Sequence, residues 1–116
     1  MCIRDRPIID YHNHLSPKLI SENTIFDSVT SLWLEGDHYK WRALRTLGIS
    51  ERFITGNASD KEIFIEYMSS VPLMIRNPLY HWTHLELKRY FGISDTISTT
   101  NAVSYTHLTL PTILRV

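Results

Sequence analysis

Apolar positions fall along this chain in short bursts, and the spacing within each burst marks an element. Pro7-Ile8-Ile9 is a continuous apolar run that leads into Asp10-Tyr11-His12-Asn13-His14-Leu15, the pattern of a buried strand arriving at a polar tip. Ser16-Pro17 then opens a short helix to about Ser21, with serine as cap and proline at the first helical position. Thr24 to Val29 reads as a connector, and a brief helix beginning at Thr30 or Ser31 carries Leu32, Trp33 and Leu34 up to Gly36. Asp37 caps a longer helix through Leu47, stopped by Gly48, in which Trp41, Leu44 and Leu47 recur at three-residue spacing. Lys40, Arg42 and Arg45 lie largely off that stripe, and Lys40 and Arg45 are expected on a solvated face. Ser59-Asp60-Lys61-Glu62 is a capping box for a helix to about Ser70, with Phe64, Tyr67, Met68 and Val71 as its buried stripe and Pro72 as its end. Asn77-Pro78 opens the last helix, Leu79 to Phe91, closed by Gly92.

Composition narrows the class. A chain of 116 residues allows one small domain. Its twelve basic residues balance twelve acidic ones, so no global field favours nucleic acid or an anionic membrane. The single cysteine, Cys2, excludes an internal disulfide framework and points to a reducing compartment. No apolar run approaches the roughly 20 residues needed to span a bilayer, and no signal-peptide core follows Arg6, so the expected location is the cytoplasm.

Chemistry concentrates at the polar tip. In a strand, His12 and His14 share one face about 7 Å apart along the backbone, where two imidazoles can grip one divalent metal. Taken alone, a His-x-His pair is more often exposed or hydrogen-bonded than metal-binding. Asp10 shares that face but lies deeper, so it is expected to make a structural hydrogen bond. His38 and Tyr39 fall in the first turn of their helix, where free amides and the dipole favour an anion. His81 and His84 share a helix face, but structural zinc needs four ligands, so packing with polar tips is expected of them.

Four blocks in order extend the picture: Tyr11-His12-Asn13-His14-Leu15-Ser16-Pro17, Trp33-Leu34-Glu35-Gly36-Asp37-His38-Tyr39-Lys40-Trp41-Arg42-Ala43, Thr55-Gly56-Asn57-Ala58-Ser59-Asp60, and Asn77-Pro78-Leu79-Tyr80-His81-Trp82-Thr83-His84-Leu85-Glu86-Leu87. Together they resemble uronate isomerase of the amidohydrolase-like superfamily, over about residues 7 to 102. The resemblance implies an α/β parent, a metal-dependent (β/α)8 TIM barrel, of which this chain is a mostly α-helical amino-terminal fragment with one barrel strand. Such a barrel needs about 250 residues. Residues 1–6 and 103–116 match nothing in the family and read as translated sequencing-adapter DNA, which removes Cys2 and His107 from consideration. A β-prone stretch such as Tyr105 to Leu110 is expected as a strand or loop.

The implied activity is aldose–ketose isomerisation of hexuronates, D-glucuronate to D-fructuronate and D-galacturonate to D-tagaturonate. By the same resemblance His12 and His14 are ligands of a divalent metal, zinc being the expected ion. Tyr39 is the catalytic candidate and, with His38 and Arg42, a substrate contact. The implied partner is a small uronate sugar, with no nucleic acid and no membrane, and the parent is a candidate homo-oligomer. The carboxylate that completes the family's metal site and the arginines that clamp its substrate come from later segments, so the chain by itself is expected to be inactive and poorly soluble. The rival readings are a non-functional truncated open reading frame and a small helical module binding nucleic-acid phosphates through Tyr39 to Arg45.

Overall fold

Capping residues determine where the helices begin. In the computed structural model, which describes residues 5–108, α1 spans Pro17–Ser21, α2 Val29–Leu34, α3 His38–Thr46, α4 Asp60–Ser70 and α5 Pro78–Phe91. Short 3-10 turns lie at Glu51–Phe53, Val71–Met74 and Val103–His107. Asp37, Ser59 and Asn77 accept first-turn amides of α3, α4 and α5, and Ser59 and Glu62 complete the reciprocal box. Gly92 closes α5 at φ 68°, a left-handed conformation that a Cβ would strain.

Two starts differ from expectation. Helix α2 begins at Val29 rather than at Thr30 or Ser31, because the hydroxyl of Ser28 accepts the Ser31 amide and Val29 and Thr30 are buried. Ser16 precedes α1 without making a side-chain cap.

The core forms where α2, α4 and α5 meet. Trp33 of α2 lies between Phe64 and Phe91, with ring centroids 6.4 Å from each. Leu44, Tyr67, Met68, Val71 and Leu87 are fully buried around it, so the stripe expected for α4 is the stripe observed. Inside it, Thr83 Oγ1 donates to the Leu79 carbonyl at 2.7 Å and accepts from the Tyr67 hydroxyl at 2.9 Å. Burial pushes the Tyr67 phenol upward.

Residues 93–108 join this core without any periodic pattern. Ile97 and Ala102 are buried in the core, and Tyr105 and Leu108 pack, partly buried, against that core. The segment is held by His84, whose Nδ1 bonds the Tyr80 carbonyl at 2.7 Å while Nε2 accepts the Ile97 amide at 3.1 Å. His84 is thus a helix-packing residue, as expected, and His81 is exposed. Tyr105 lies in a 3-10 turn rather than a strand or loop, while Cys2 and residues 109–116 fall outside the described part.

The amino-terminal strand is not formed. Among the described residues there is no strand, and Ile8 and Ile9 are 94% and 83% exposed rather than buried. A strand exists only through a paired neighbour. Here the His12 amide goes instead to Asp10 Oδ1, and the Leu15 amide to Asn13 Oδ1, each at 3.0 Å. These two side-chain turns bend the chain between them. Asp10 has the structural hydrogen bond expected of it.

Candidate active site

The two turns bring both histidines together more closely than a strand would. His12 Nε2 and His14 Nε2 are 2.9 Å apart, with the rings edge to face. His14 continues onto α3, its ring stacked on Tyr39 at 4.8 Å and 15°. The Arg42 guanidinium covers Tyr39 at 5.2 Å, and His38 lies 6.5 Å from His14. All five candidate residues, His12, His14, His38, Tyr39 and Arg42, therefore meet beside the first turn of α3. His12, His14, Tyr39 and Arg42 border an open cleft of ≈ 1200 Å³ that also takes in Lys40 and Glu86, while His38 borders a smaller one of ≈ 450 Å³ with His14, Tyr39 and Arg42.

Asp37 organises this group. Its Oδ1 accepts the Tyr39 and Lys40 amides at 3.0 and 3.2 Å and lies 3.8 Å from His14 Nδ1. The anion expected at this helix start is thus, for these two amides, the chain's own capping carboxylate.

Lys40 departs from its expected solvated face. Its side chain is only 13% exposed, donating to the Trp33 carbonyl at 3.0 Å and pairing with Asp37 Oδ2 at 3.4 Å. Next to it, Trp41 Nε1 donates to the Leu34 carbonyl at 2.7 Å. The last carbonyls of α2 have no partner in their own helix, and α3 supplies both. Arg45 is exposed as expected and pairs with Glu51.

Glu86 of α5 completes the surroundings. Burial raises its carboxyl above the ordinary range, the positive charge of Lys40 opposes that, and Asp37 adds to it. Helix periodicity places Glu86 on α5, but nothing local shows that this face meets Lys40. Its role was therefore not visible in the sequence.

The donor set can be tested against a metal. Two Nε2 atoms can face one ion only when both are unprotonated there, which puts each ring's proton on Nδ1. The Asp37 carboxylate beside His14 Nδ1 favours that tautomer. At 2.9 Å the two Nε2 atoms are at hydrogen-bond distance, and with both protons on Nδ1 they offer two nitrogens to one divalent ion. Among the described residues no set of three or more His, Cys, Asp or Glu converges to hold one. No helix among them is long and apolar enough to cross a membrane.

Comparison with known proteins gives a single answer. A family model described as glucuronate isomerase matches residues 1–109. The uronate isomerase of Flavobacterium johnsoniae is 60% identical over 99 residues, covering 85% of this chain and 21% of that protein. That of Bacillus licheniformis is 62% identical over 96 residues, covering 83% and 20%. A crystal structure of uronate isomerase from Thermotoga maritima superposes with a TM-score of 0.75 at 39% identity, covering 88% of this chain and 23% of that one. The chain thus spans about a fifth of the length of the relatives it matches.

Proposed function

Because this chain belongs to the glucuronate isomerase family, we propose that it supplies the amino-terminal part of an aldose–ketose isomerase acting on hexuronates, D-glucuronate and D-galacturonate, within a (β/α)8 barrel. The observation that carries this reading is the convergence of His12 and His14 on Tyr39 at the first turn of α3. His12 and His14 would hold a divalent metal, which when bound stabilises the negative charge that develops on a sugar oxygen.

The reaction moves a proton from C2 to C1 of the sugar, with the C1 carbonyl and C2 hydroxyl exchanging roles through an enediol. Tyr39 offers a phenol to a sugar oxygen, and the stacked His14 ring limits the directions that phenol can take. Arg42 carries the fixed positive charge suited to the uronate carboxylate, and His38 offers a second polar contact. The base and the remaining metal ligands belong to segments that the relatives have and this chain does not span, so the chain alone is expected to be inactive.

The test is a chimera in which residues 7–102 replace the matching segment of the Flavobacterium johnsoniae enzyme. Conversion of D-glucuronate to D-fructuronate is expected, with His12→Ala or His14→Ala lowering turnover at least about 100-fold, the loss of roughly 3 kcal/mol of transition-state stabilisation. A folded chimera without turnover, or metal-dependent turnover by the 116-residue chain alone, would overturn the proposal.

A further inference from the structure

We propose that Lys40 is a positioning residue of this site, holding the His14–Tyr39 stack in place through Asp37; its link to catalysis rests on the isomerase reading above. A buried ammonium needs partners, and those of Lys40 come from two elements. It donates to the Trp33 carbonyl at the end of α2, pairs with Asp37 at the start of α3, and faces the Trp33 ring at 5.8 Å. Its charge also acts on Glu86 of α5.

Asp37 divides its two oxygens between the tasks that matter here. Oδ1 caps the amides of Tyr39 and Lys40 and lies beside His14 Nδ1, while Oδ2 is turned toward Lys40. Glu86 of α5 lines the same cleft as Asp37 and Lys40. Lys40 is the cation that pairs with Asp37 there. Removing its charge leaves Asp37 Oδ2 without its ion pair, and the carboxylate then turns from His14 toward solvent. His14 loses the group that orients its ring, and the stack on Tyr39 goes with it.

The test reads ring contacts by NMR on the isotopically labelled 116-residue chain. Cross-peaks between the His14 and Tyr39 rings are expected in the parent chain, to be lost in Lys40→Met and recovered in Lys40→Arg, which keeps a cation with several donors. Trp41→Phe removes the neighbouring bond to α2 but leaves Asp37 alone, and it should keep the cross-peaks. A purely structural role for Lys40 would instead make Trp41→Phe and Lys40→Met behave alike, and that result overturns the proposal. Should Lys40→Met not fold, Asp37→Asn decides, because the amide still caps α3 but carries no charge for Lys40 or His14. Cross-peaks that persist in a folded Asp37→Asn sink the idea, and their loss supports it. Since ring contacts do not depend on turnover, an inactive chimera with intact contacts counts against the isomerase reading only.

Discussion

Thr83 has a single hydroxyl proton, and the Leu79 carbonyl takes it, so the Tyr67 hydroxyl must be the donor in the bond between the two side chains. This order makes the pair asymmetric. Tyr67→Phe removes a donor whose acceptor, Thr83, still has Leu79 to bond, and a cost of about 1 kcal/mol is expected. Thr83→Val keeps the shape but strands a fully buried phenolic hydroxyl, which costs about 1–3 kcal/mol. Chemical denaturation of both variants checks the ranking, and equal or reversed losses would refute the donor assignment. Tyr67 was legible in the sequence as an apolar stripe position, because helical spacing reports burial. Its partner was not, since Thr83 lies sixteen residues away on another helix.

At the scale of elements, two carboxylates give pH dependence of opposite sign. Glu51, bonded to Arg45 and Thr55, is held down to about 2, so its stabilising contribution is present above the ordinary 4.5 and is lost as pH falls toward 2. Glu86 is raised above 4.5 by burial, so its contribution is present below that value and is lost as pH rises through its elevated pKa. Unfolding midpoints in urea between pH 2 and pH 8 separate them. Glu86→Gln is expected to gain on the parent chain at pH 7 and not at pH 3, while Glu51→Gln flattens only the acid limb. The Glu51 effect should shrink in high salt because that pair is exposed. A Glu86→Gln chain that loses stability at pH 7 would show that the Lys40 attraction outweighs burial.

The same division explains what could be read from the chain. Caps and stops are local, and Asp37, Ser59 with Glu62, Asn77-Pro78 and Gly92 begin or end helices as their chemistry predicts. The gathering of His12, His14, His38, Tyr39 and Arg42 has no such local signal, because it depends on the turns that Asp10 and Asn13 make with the His12 and Leu15 amides. Lys40 misled because its burial depends on the unpaired carbonyl of Trp33 in another helix. Residues 93–108 gave no periodic signal, since His84 and single apolar anchors hold them. The strand was misplaced for a different reason, which belongs to the molecule as a whole.

Ile8, Ile9 and Tyr11 are between 83% and 94% exposed on a segment without strand partners among the described residues. Contiguous apolar side chains beside unpaired backbone are a template for association. The chain alone is therefore expected to self-associate as its concentration rises, and Ile8→Lys with Ile9→Lys should suppress this in sedimentation velocity. Neither side chain is packed against the core, so the double variant should keep its thermal midpoint, with an unfolding free energy within the roughly 0.5 kcal/mol typical of surface changes. In the chimera with the Flavobacterium johnsoniae enzyme the same substitutions should do the opposite. If the segment becomes a barrel strand buried on both faces, two lysines there cost several kcal/mol and abolish folded, active enzyme. A chimera indifferent to both lysines would mean that residues 7–11 stay outside the barrel. A fall in the midpoint of the chain alone would mean that Ile8 and Ile9 are already packed. Opposite responses in the two settings would show that the strand pattern in the sequence is satisfied only when a neighbouring strand is supplied.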